Sequence, residues 1–397
     1  MNKSSYILVL NSGSSSLKFA LFDRDSESYA GRGAITHIGN NTSLSARGSL
    51  FEDSTHPPPL LGRDCRSPTD AISALVKWLE ACLPPKALAA VGHRIVHGGN
   101  IKTPTVITPD ILNYLETLVP LAPLHQPFNL EAIALIASTH PNVAQVACFD
   151  TSFHTTMPSL HRRYALPRQW HDKGVCRYGF HGLSYEYIAG RLREISPRAF
   201  TGRTIVAHLG SGASLCALRD GKSLDTSMGF SALDGLVMGT RPGTLDPGVI
   251  LYFLKEAGLD EDAIEHLLYH EAGLLGVSSI SSDMATLLAS QEPAAREAID
   301  LFCLRIVREV GGLISLLGGL DAFVFTGGIG EHAPTIRSQI CLSLEWTGLF
   351  IDGVKNAAAK SDQASLLSSP QSKAEIYLIP TDEEFVIAHH THALIWP

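Results

Sequence analysis

Apolar and polar positions along the chain follow two repeating patterns, which predict strands and helices in turn. Tyr6–Leu10 and Leu17–Phe22 are short apolar runs on either side of a Gly/Ser-rich turn at residues 11–16, so a β-hairpin is predicted. Helical periodicity over Asp70–Leu83 ends before two prolines. A strand is then predicted around Ala89–Val91, leading into a segment rich in glycine, histidine and arginine.

The hairpin pattern recurs in the second half of the chain. Strand Thr204–Leu209, turn Gly210–Ala213 and strand Ser214–Leu218 repeat the opening theme, which suggests a duplicated domain. The apolar stretch Leu301–Phe325 contains several charged residues, so it predicts a buried helix followed by a strand and not a membrane span. Residues 40–69 are rich in Ser, Asn, Gly and Pro and predict surface loops with at most one short strand.

Size, charge and cysteine usage narrow the class of protein. A chain of 397 residues is too long for one ordinary hydrophobic core, so two domains with a cleft are expected. The formal net charge of -8 argues against a nucleic-acid partner, which would need a basic surface. Seven widely spaced cysteines without a C-x-x-C pair fit a reduced, cytoplasmic compartment.

The glycine-rich turns predict a phosphate site. Gly and Ser let successive backbone N–H groups point into one concavity, and the hydroxyl groups add further donors. A third glycine-rich element, Gly327–Gly330, follows a predicted strand at Ala322–Thr326 and precedes a helix predicted to start near Pro334. Two hairpin turns and this element together favour binding of a polyphosphate.

Ten segments distributed over the chain resemble those of the acetate kinases. They are NSGSSSLKFALFD, GHRIVHGG, PLHQPFNL, CFDTSFHTTMP, RYGFHGLS, HLGSGASLCAL, DTSMGF, GTRPGTLDPG, FTGGIGEHAPTIR and IPTDEEFVIA. The resemblance implies an α/β fold of two duplicated actin-like (ribonuclease H-like) domains with a nucleotide cleft between them. It places the first domain at residues 1–150, completed by 385–397, and the second at residues 151–384.

The resemblance also implies an activity. Acetate kinases transfer a phosphoryl group reversibly from ATP to acetate, giving ADP and acetyl phosphate, with Mg²⁺ or in its place Mn²⁺. Direct in-line attack by the carboxylate is expected, because an ionised carboxylate is already nucleophilic and catalysis then requires positioning and charge stabilisation. A homodimer with no nucleic-acid or membrane partner is expected.

Four residues in the matched motifs are predicted to act in catalysis. Arg94 and Arg241 would neutralise the approach of two anions, since unscreened unit charges about 4 Å apart repel by roughly 4 kcal/mol at an effective dielectric near 20. His181 would donate to the transferring phosphoryl group. Asp150 would orient Arg241 or a metal-bound water.

The remaining predicted contacts are carried over from the same motifs. Asn11 and Lys18 would meet the phosphates, and Asn11 and Glu383 would hold the metal through oxygen and water. The nucleotide site is predicted to comprise His208, Leu209, Gly210, Ser211, Gly212, Asp283, Met284, Ala285, Gly328, Ile329, Gly330, Glu331 and His332. The acceptor pocket is predicted to comprise Arg94, Val96, Leu124, His125, Phe180 and Ala232.

Three departures from the family pattern leave alternatives open. Ala232 stands in place of a usual proline and could enlarge the pocket, so propionate or butyrate is the alternative acceptor. One methylene in such a pocket changes binding by only about 1–3 kcal/mol. Ser211 and Ala285 replace a usual asparagine and arginine, which makes a non-catalytic nucleotide-binding regulator the third hypothesis.

Overall fold

The chain forms two compact units in the computed structural model, which describes residues 5–13, 15–52 and 56–397. The first unit comprises Met1–Ser152 together with Asp382–Pro397, and the second comprises Phe153–Thr381. Ser14, in the predicted first turn, lies outside the described residues.

A seven-stranded sheet organises the first unit, with the strand order β4-β3-β2-β1-β5-β7-β6. Its strands are β1 Tyr6–Ser12, β2 Ser16–Asp23, β3 Tyr29–Thr36, β4 Ser43–Arg47, β5 Leu88–Ile95, β6 Thr105–Val106 and β7 Ala144–Phe149. Its helices are α1 Ser49–Glu52, α2 Pro68–Cys82, α3 Pro109–Glu116, α4 Gln126–Thr139 and α16 Glu383–Ile395, with a 3₁₀ turn at Val119–Leu121.

The predicted N-terminal hairpin is confirmed. β1 and β2 are antiparallel, with Asn11 opposite Lys18, while β1, β5 and β7 run parallel. Carboxyl ends of parallel strands meet at one edge of a sheet, so Asn11, Arg94 and Asp150 are delivered to the same edge. The strand β3 was not predicted.

Helices cover both faces of this sheet. On one face Phe19 packs edge-on against Trp78 of α2, within an apolar cluster. On the other face α16 packs on β1, β5 and β7. A Cβ added to Gly92 of β5 would lie 2.5 Å from Oγ1 of Thr391 and 2.6 Å from Cγ2 of Ile387, so strand and helix are in close contact here.

The second unit has a six-stranded sheet with the order β10-β9-β8-β11-β13-β12. Its strands are β8 Arg203–Leu209, β9 Ala213–Arg219, β10 Lys222–Thr226, β11 Ala322–Thr326, β12 Ser365–Leu366 and β13 Glu375–Leu378. Its larger helices are α6 Gly182–Ile195, α8 Pro247–Lys255, α12 Pro293–Leu317 and α14 Pro334–Ser343. Its shorter helices are α5 Arg168–Asp172, α7 Pro197–Thr201, α9 Glu261–His266, α10 Gly273–Ser278, α11 Met284–Ala289, α13 Gly327–His332 and α15 Gly353–Ala358.

The two sheets share one topology, which confirms the predicted duplication. β8, β9 and β10 repeat the antiparallel order of β1, β2 and β3, and β11, β13 and β12 repeat β5, β7 and β6. The predicted buried helix and strand within Leu301–Phe325 correspond to α12 and β11. No helix in the described ranges has the length and hydropathy needed to cross a lipid bilayer.

Candidate active site

Strand ends of the first unit bring four predicted residues together as the Arg94 cluster, consisting of Arg94, Asp150, Asn11 and Glu383. Nε and Nη2 of Arg94 donate to the two carboxylate oxygens of Asp150 at 3.0 and 2.6 Å. Nη1 donates to Oδ1 of Asn11 at 3.1 Å, and Nε lies 3.6 Å from Oε2 of Glu383. Asp150 therefore holds Arg94, a pairing that the sequence did not predict.

The charges of the Arg94 cluster keep its guanidinium ionised. Burial opposes the charge, but Asp150 and then Glu383 outweigh it and hold the pKa of Arg94 above its ordinary value. A guanidinium has five N–H donors. Three of them are used by Asp150 and Asn11, which leaves one on each terminal nitrogen for a further anion.

Two amide side chains on α4 fix the backbone next to this cluster by hydrogen bonds. Oδ1 of Asn129 accepts from the backbone N–H of Val96 at 3.0 Å, and its Nδ2 donates to the carbonyl of Ser12 at 2.8 Å. Gln126 exchanges hydrogen bonds with the backbone N–H and carbonyl of His97. Both amides lie in the matched segment PLHQPFNL, but sequence reasoning assigned them no role.

Four further predicted residues of the first unit lie on or beside the same elements. Val96 is buried directly after β5, whereas Lys18 is exposed on β2. His125 occupies the position before α4, but no side-chain capping hydrogen bond is formed there. Leu124, the residue before it, is half-buried.

Residues of the second unit form the Arg241 cluster, consisting of Arg241, His181, Gly212 and Ser214. His181 precedes α6 in a left-handed conformation, with φ of 58°. Its Nδ1 lies 2.8 Å from Oγ of Ser214, which is also hydrogen-bonded to the hydroxyl of Tyr185. A Cβ added to Gly212 would lie 2.9 Å from Nη2 of Arg241 and 3.2 Å from Nε2 of His181, so both side chains meet over this glycine.

Arg241 has an unusual electrostatic environment for an arginine. Its Nη1 donates to the carbonyl of Ala232 at 2.7 Å, and among the described residues it has no carboxylate within ion-pair distance. Burial lowers its pKa to about 10, so the side chain is still charged at neutral pH. A partly buried cation without a counterion is suited to binding an anion. Ala232 thus also fixes Arg241, in addition to its predicted place in the pocket.

The remaining predicted residues near this cluster are packed aromatic groups. His208 stacks on His181 with ring centroids 4.3 Å apart, and its Nδ1 lies 2.8 Å from Oγ of Ser184. Phe180 is almost fully buried, and its carbonyl lies 2.9 Å from Nε2 of His154.

Two glycine-rich elements of the second unit, the turn after β8 and the segment after β11, lie side by side. A Cβ on Gly327 would lie 2.7 Å from the carbonyl oxygen of Leu209, and φ of Gly327 is +76°. The glycine-rich segment Gly327–Gly330 belongs to the helix α13 and is not an open loop, and the predicted helix at Pro334 follows it as α14. Oε1 of Glu331 accepts from the backbone N–H groups of Gly327 and Thr381 at 2.9 and 3.2 Å, which stabilises this short helix.

The segment Asp283–Ala285 begins α11. The carboxylate of Asp283 accepts from the N–H and hydroxyl of Thr286 at 2.9 and 2.8 Å, so it caps the helix. The hydrogen bond from the N–H is the main cause that lowers the pKa of Asp283. Met284 is buried, whereas Asp283 and Ala285 are exposed.

Arg337 is a positioning residue that sequence reasoning missed, although it ends the matched segment FTGGIGEHAPTIR. Only 1% of the side chain is exposed. Its guanidinium donates to the carbonyls of Gly330 and Glu331 at 2.8 and 3.0 Å and to Oδ1 and the carbonyl of Asn356 at 2.6 and 2.9 Å. These contacts stabilise the C-terminal end of α13.

We expect Arg337→Met to lower the free energy of unfolding by about 3 kcal/mol or more, because it leaves several buried carbonyls unpaired. The KM for the nucleotide expected from the sequence should rise as well, since α13 loses its support. Urea unfolding and initial rates would measure the two effects. Arg198→Met removes an exposed arginine that donates to the backbone carbonyl of Lys373 at 3.2 Å, and as the matched control it should change stability by less than about 1 kcal/mol. Equal effects of the two substitutions would contradict the role of Arg337.

The oxygen donors at Asn11 and Glu383 fit a hard divalent cation that keeps most of its water or phosphate ligands. Both side chains approach the same guanidinium, at 3.1 and 3.6 Å. Within the described residues, no group of three or more His, Cys, Asp and Glu side chains is arranged to hold a metal ion. Asn11 and Glu383 would supply only part of a coordination shell.

Comparison with known proteins gives consistent matches along the chain. The model of the acetokinase family matches residues 6–389. The acetate kinase of Rhodopseudomonas palustris (strain TIE-1) is 49% identical over 400 residues, which cover 98% of each chain. The structure of Porphyromonas gingivalis acetate kinase has a TM-score of 0.87 at 36% identity, covering 98% of this chain and 100% of that one. A propionate kinase from Francisella tularensis has a TM-score of 0.89 at 36% identity, covering 98% and 99%.

Proposed function

Because the chain belongs to the acetokinase family, we propose that it transfers the γ-phosphoryl group of ATP reversibly to acetate. The observation that carries the proposal is the Arg94 cluster, in which Asp150 holds a charged guanidinium with two N–H donors to spare. A carboxylate accepts such a pair of hydrogen bonds readily. Acetate is the acceptor named for relatives that match nearly the whole chain.

The reaction forms one bond and breaks one bond. A carboxylate oxygen of acetate attacks the γ-phosphorus, and the bond from this phosphorus to the β,γ-bridging oxygen breaks, so acetyl phosphate and ADP result. No proton has to be moved, because acetate is ionised and ADP leaves as an anion. The residues therefore act by positioning the reactants and stabilising charge.

His181 and Arg241 are the proposed donors to the transferring group. If Tyr185 donates to Ser214 and Ser214 donates to Nδ1 of His181, the imidazole proton resides on Nε2, the nitrogen nearest Gly212 and Arg241. That nitrogen and Nη2 of Arg241 then present two donors side by side. Asp150 acts in this scheme through Arg94 and not through Arg241.

A divalent cation, Mg²⁺ or Mn²⁺, would be held by Asn11 and Glu383 together with the nucleotide. When bound it would supply neutralisation of the phosphate charges. The nucleotide phosphates would lie against Lys18, Gly210–Gly212 and Gly328–His332, and the base side against Asp283–Ala285.

We also propose a cytoplasmic homodimer. All seven cysteines are free thiols, which suits a reducing compartment. Leu251 and Tyr252 of α8 expose 52% and 58% of their surface, and an interface between two copies would cover such side chains.

The acceptor preference tests the proposal directly. We expect kcat/KM, measured by trapping the acyl phosphate with hydroxylamine, to be higher for acetate than for propionate or butyrate. Ala232→Pro should raise the ratio of kcat/KM for acetate to kcat/KM for propionate by about tenfold. This is roughly the effect of one methylene in such a pocket. Ala285→Arg is the matched control and should change the KM for ATP but not that ratio.

Propionate is the alternative acceptor, favoured by Ala232 and by the similarity to a propionate kinase structure. An equal or reversed preference in the same assay would replace acetate by propionate. Binding of ATP without acyl phosphate from any of the three acids would support a regulator in place of an enzyme.

A further inference from the structure

Apart from the Arg94 cluster, the first unit has a charged cavity on the face of the sheet that α16 covers. This helix packs on β1, β2, β5 and β7. Beside its first turn a cavity of about 450 Å³ opens over β2, β3 and β4. Its polar lining consists of Lys18, Tyr29, Arg32, Ser45, Arg47 and Glu384.

The lining of this cavity concentrates positive charge. Arg32 and Arg47 are directly opposite in the register of β3 and β4, a pairing of like charges that is unfavourable without an anion. Neither arginine has an ion-pair partner within 4.0 Å among the described residues, and Arg32 lies over the ring of Tyr29 at 5.2 Å. Lys18 adds a third cation, and Glu384 is the one carboxylate in the lining. This concentration of cations occurs in a chain with a net charge of -8.

We propose that this cavity binds a small multivalent oxyanion, a compound that carries phosphate or several carboxylates. Guanidinium groups bind both chemistries through paired hydrogen bonds, and Ser45 adds a hydroxyl. The volume of the cavity lies within the range that is usual for small-molecule binding sites. Arg32 and Arg47 have no part in the proposed phosphoryl transfer, although the cavity shares Lys18 with the nucleotide site of the proposed function.

Isothermal titration calorimetry with pyrophosphate and with tricarballylate, in the presence of ADP to occupy the catalytic site, tests the proposal. We expect the Arg32→Gln/Arg47→Gln double variant to weaken binding of a probe by about tenfold or more, the effect of losing two charge-assisted contacts. Lys18 is left unchanged because it is also assigned to the nucleotide phosphates.

Arg63→Gln/Lys77→Gln removes two exposed cations elsewhere in the first unit and is the matched control. It should leave binding of the probe unchanged, and kcat without probe should be unchanged in both double variants. Binding of pyrophosphate alone identifies a phosphate ligand, binding of tricarballylate alone a polycarboxylate, and either supports the site. The proposal would be overturned if both double variants weakened binding of the probe equally, or if Arg32→Gln/Arg47→Gln did not weaken it. Absence of binding of either probe to the unsubstituted protein would also overturn it.

Discussion

Replacing Arg241 with alanine should lower kcat by about 10³-fold or more, as expected when an arginine that stabilises charge in phosphoryl transfer is lost. The structure gives the reason for so large an effect. Arg241 has no carboxylate partner among the described residues, and its Nη2 meets Nε2 of His181 over Gly212. Its charge is therefore available to the transferring group. The measurement is the rate of hydroxamate formation at saturating ATP and acetate.

Two companion substitutions separate this role from a structural one. Arg241→Lys keeps the charge but loses the planar fork, so it should recover only part of the lost rate. Arg308→Ala removes an exposed arginine of α12 and should leave kcat unchanged. A loss below tenfold for Arg241→Ala in a folded protein would remove Arg241 from the mechanism.

The second large effect is expected for Arg94→Ala. The KM for acetate should rise by about 10- to 100-fold, because the two remaining donors of Arg94 are charge-assisted and such hydrogen bonds contribute roughly 1.5–3 kcal/mol. The loss also leaves Asp150 and Glu383 without their cation, and both then repel an incoming carboxylate. Initial rates over a range of acetate concentrations would give KM and kcat separately.

Asp150→Asn tests whether the acid acts through Arg94. This substitution keeps the shape of the side chain and removes the charge that orients the guanidinium. We expect a rise in the KM for acetate in the single variant but little further change when it is added to Arg94→Ala, since the two residues act as a unit. An unchanged KM in Arg94→Ala, or fully additive effects, would contradict this assignment.

The sequence predicted the parts of the fold that local chemistry determines. Gly/Ser turns between apolar runs predicted both hairpins, and the recurrence of that pattern predicted the duplication. β3 was missed because Gly31 and Gly33 weaken its strand signal. The structure shows why glycine is there: a Cβ on Gly33 would lie 2.6 Å from the ring of Phe19, and one on Gly31 would lie 2.3 Å from that of Phe51.

The sequence identified candidate residues for the site but not which of their side chains contact one another. Arg94 and Asp150 lie far apart in sequence and meet only because β5 and β7 are neighbours in the sheet. Helix α13 was likewise hidden, since its glycines disfavour a helix that Glu331 and Arg337 stabilise through contacts made in the folded chain. The roles given to Asp150 and Arg337 therefore rest on the structure.

The place of α16 in the first unit affects how the protein is made on the ribosome. Its residues follow all of the second unit in the order of translation, yet they cover the apolar face of the first sheet. At elongation speeds of about 5–20 residues per second, that face would stay uncovered for on the order of tens of seconds. Until α16 is made, the nascent first unit would therefore expose apolar side chains of this sheet, which favours aggregation.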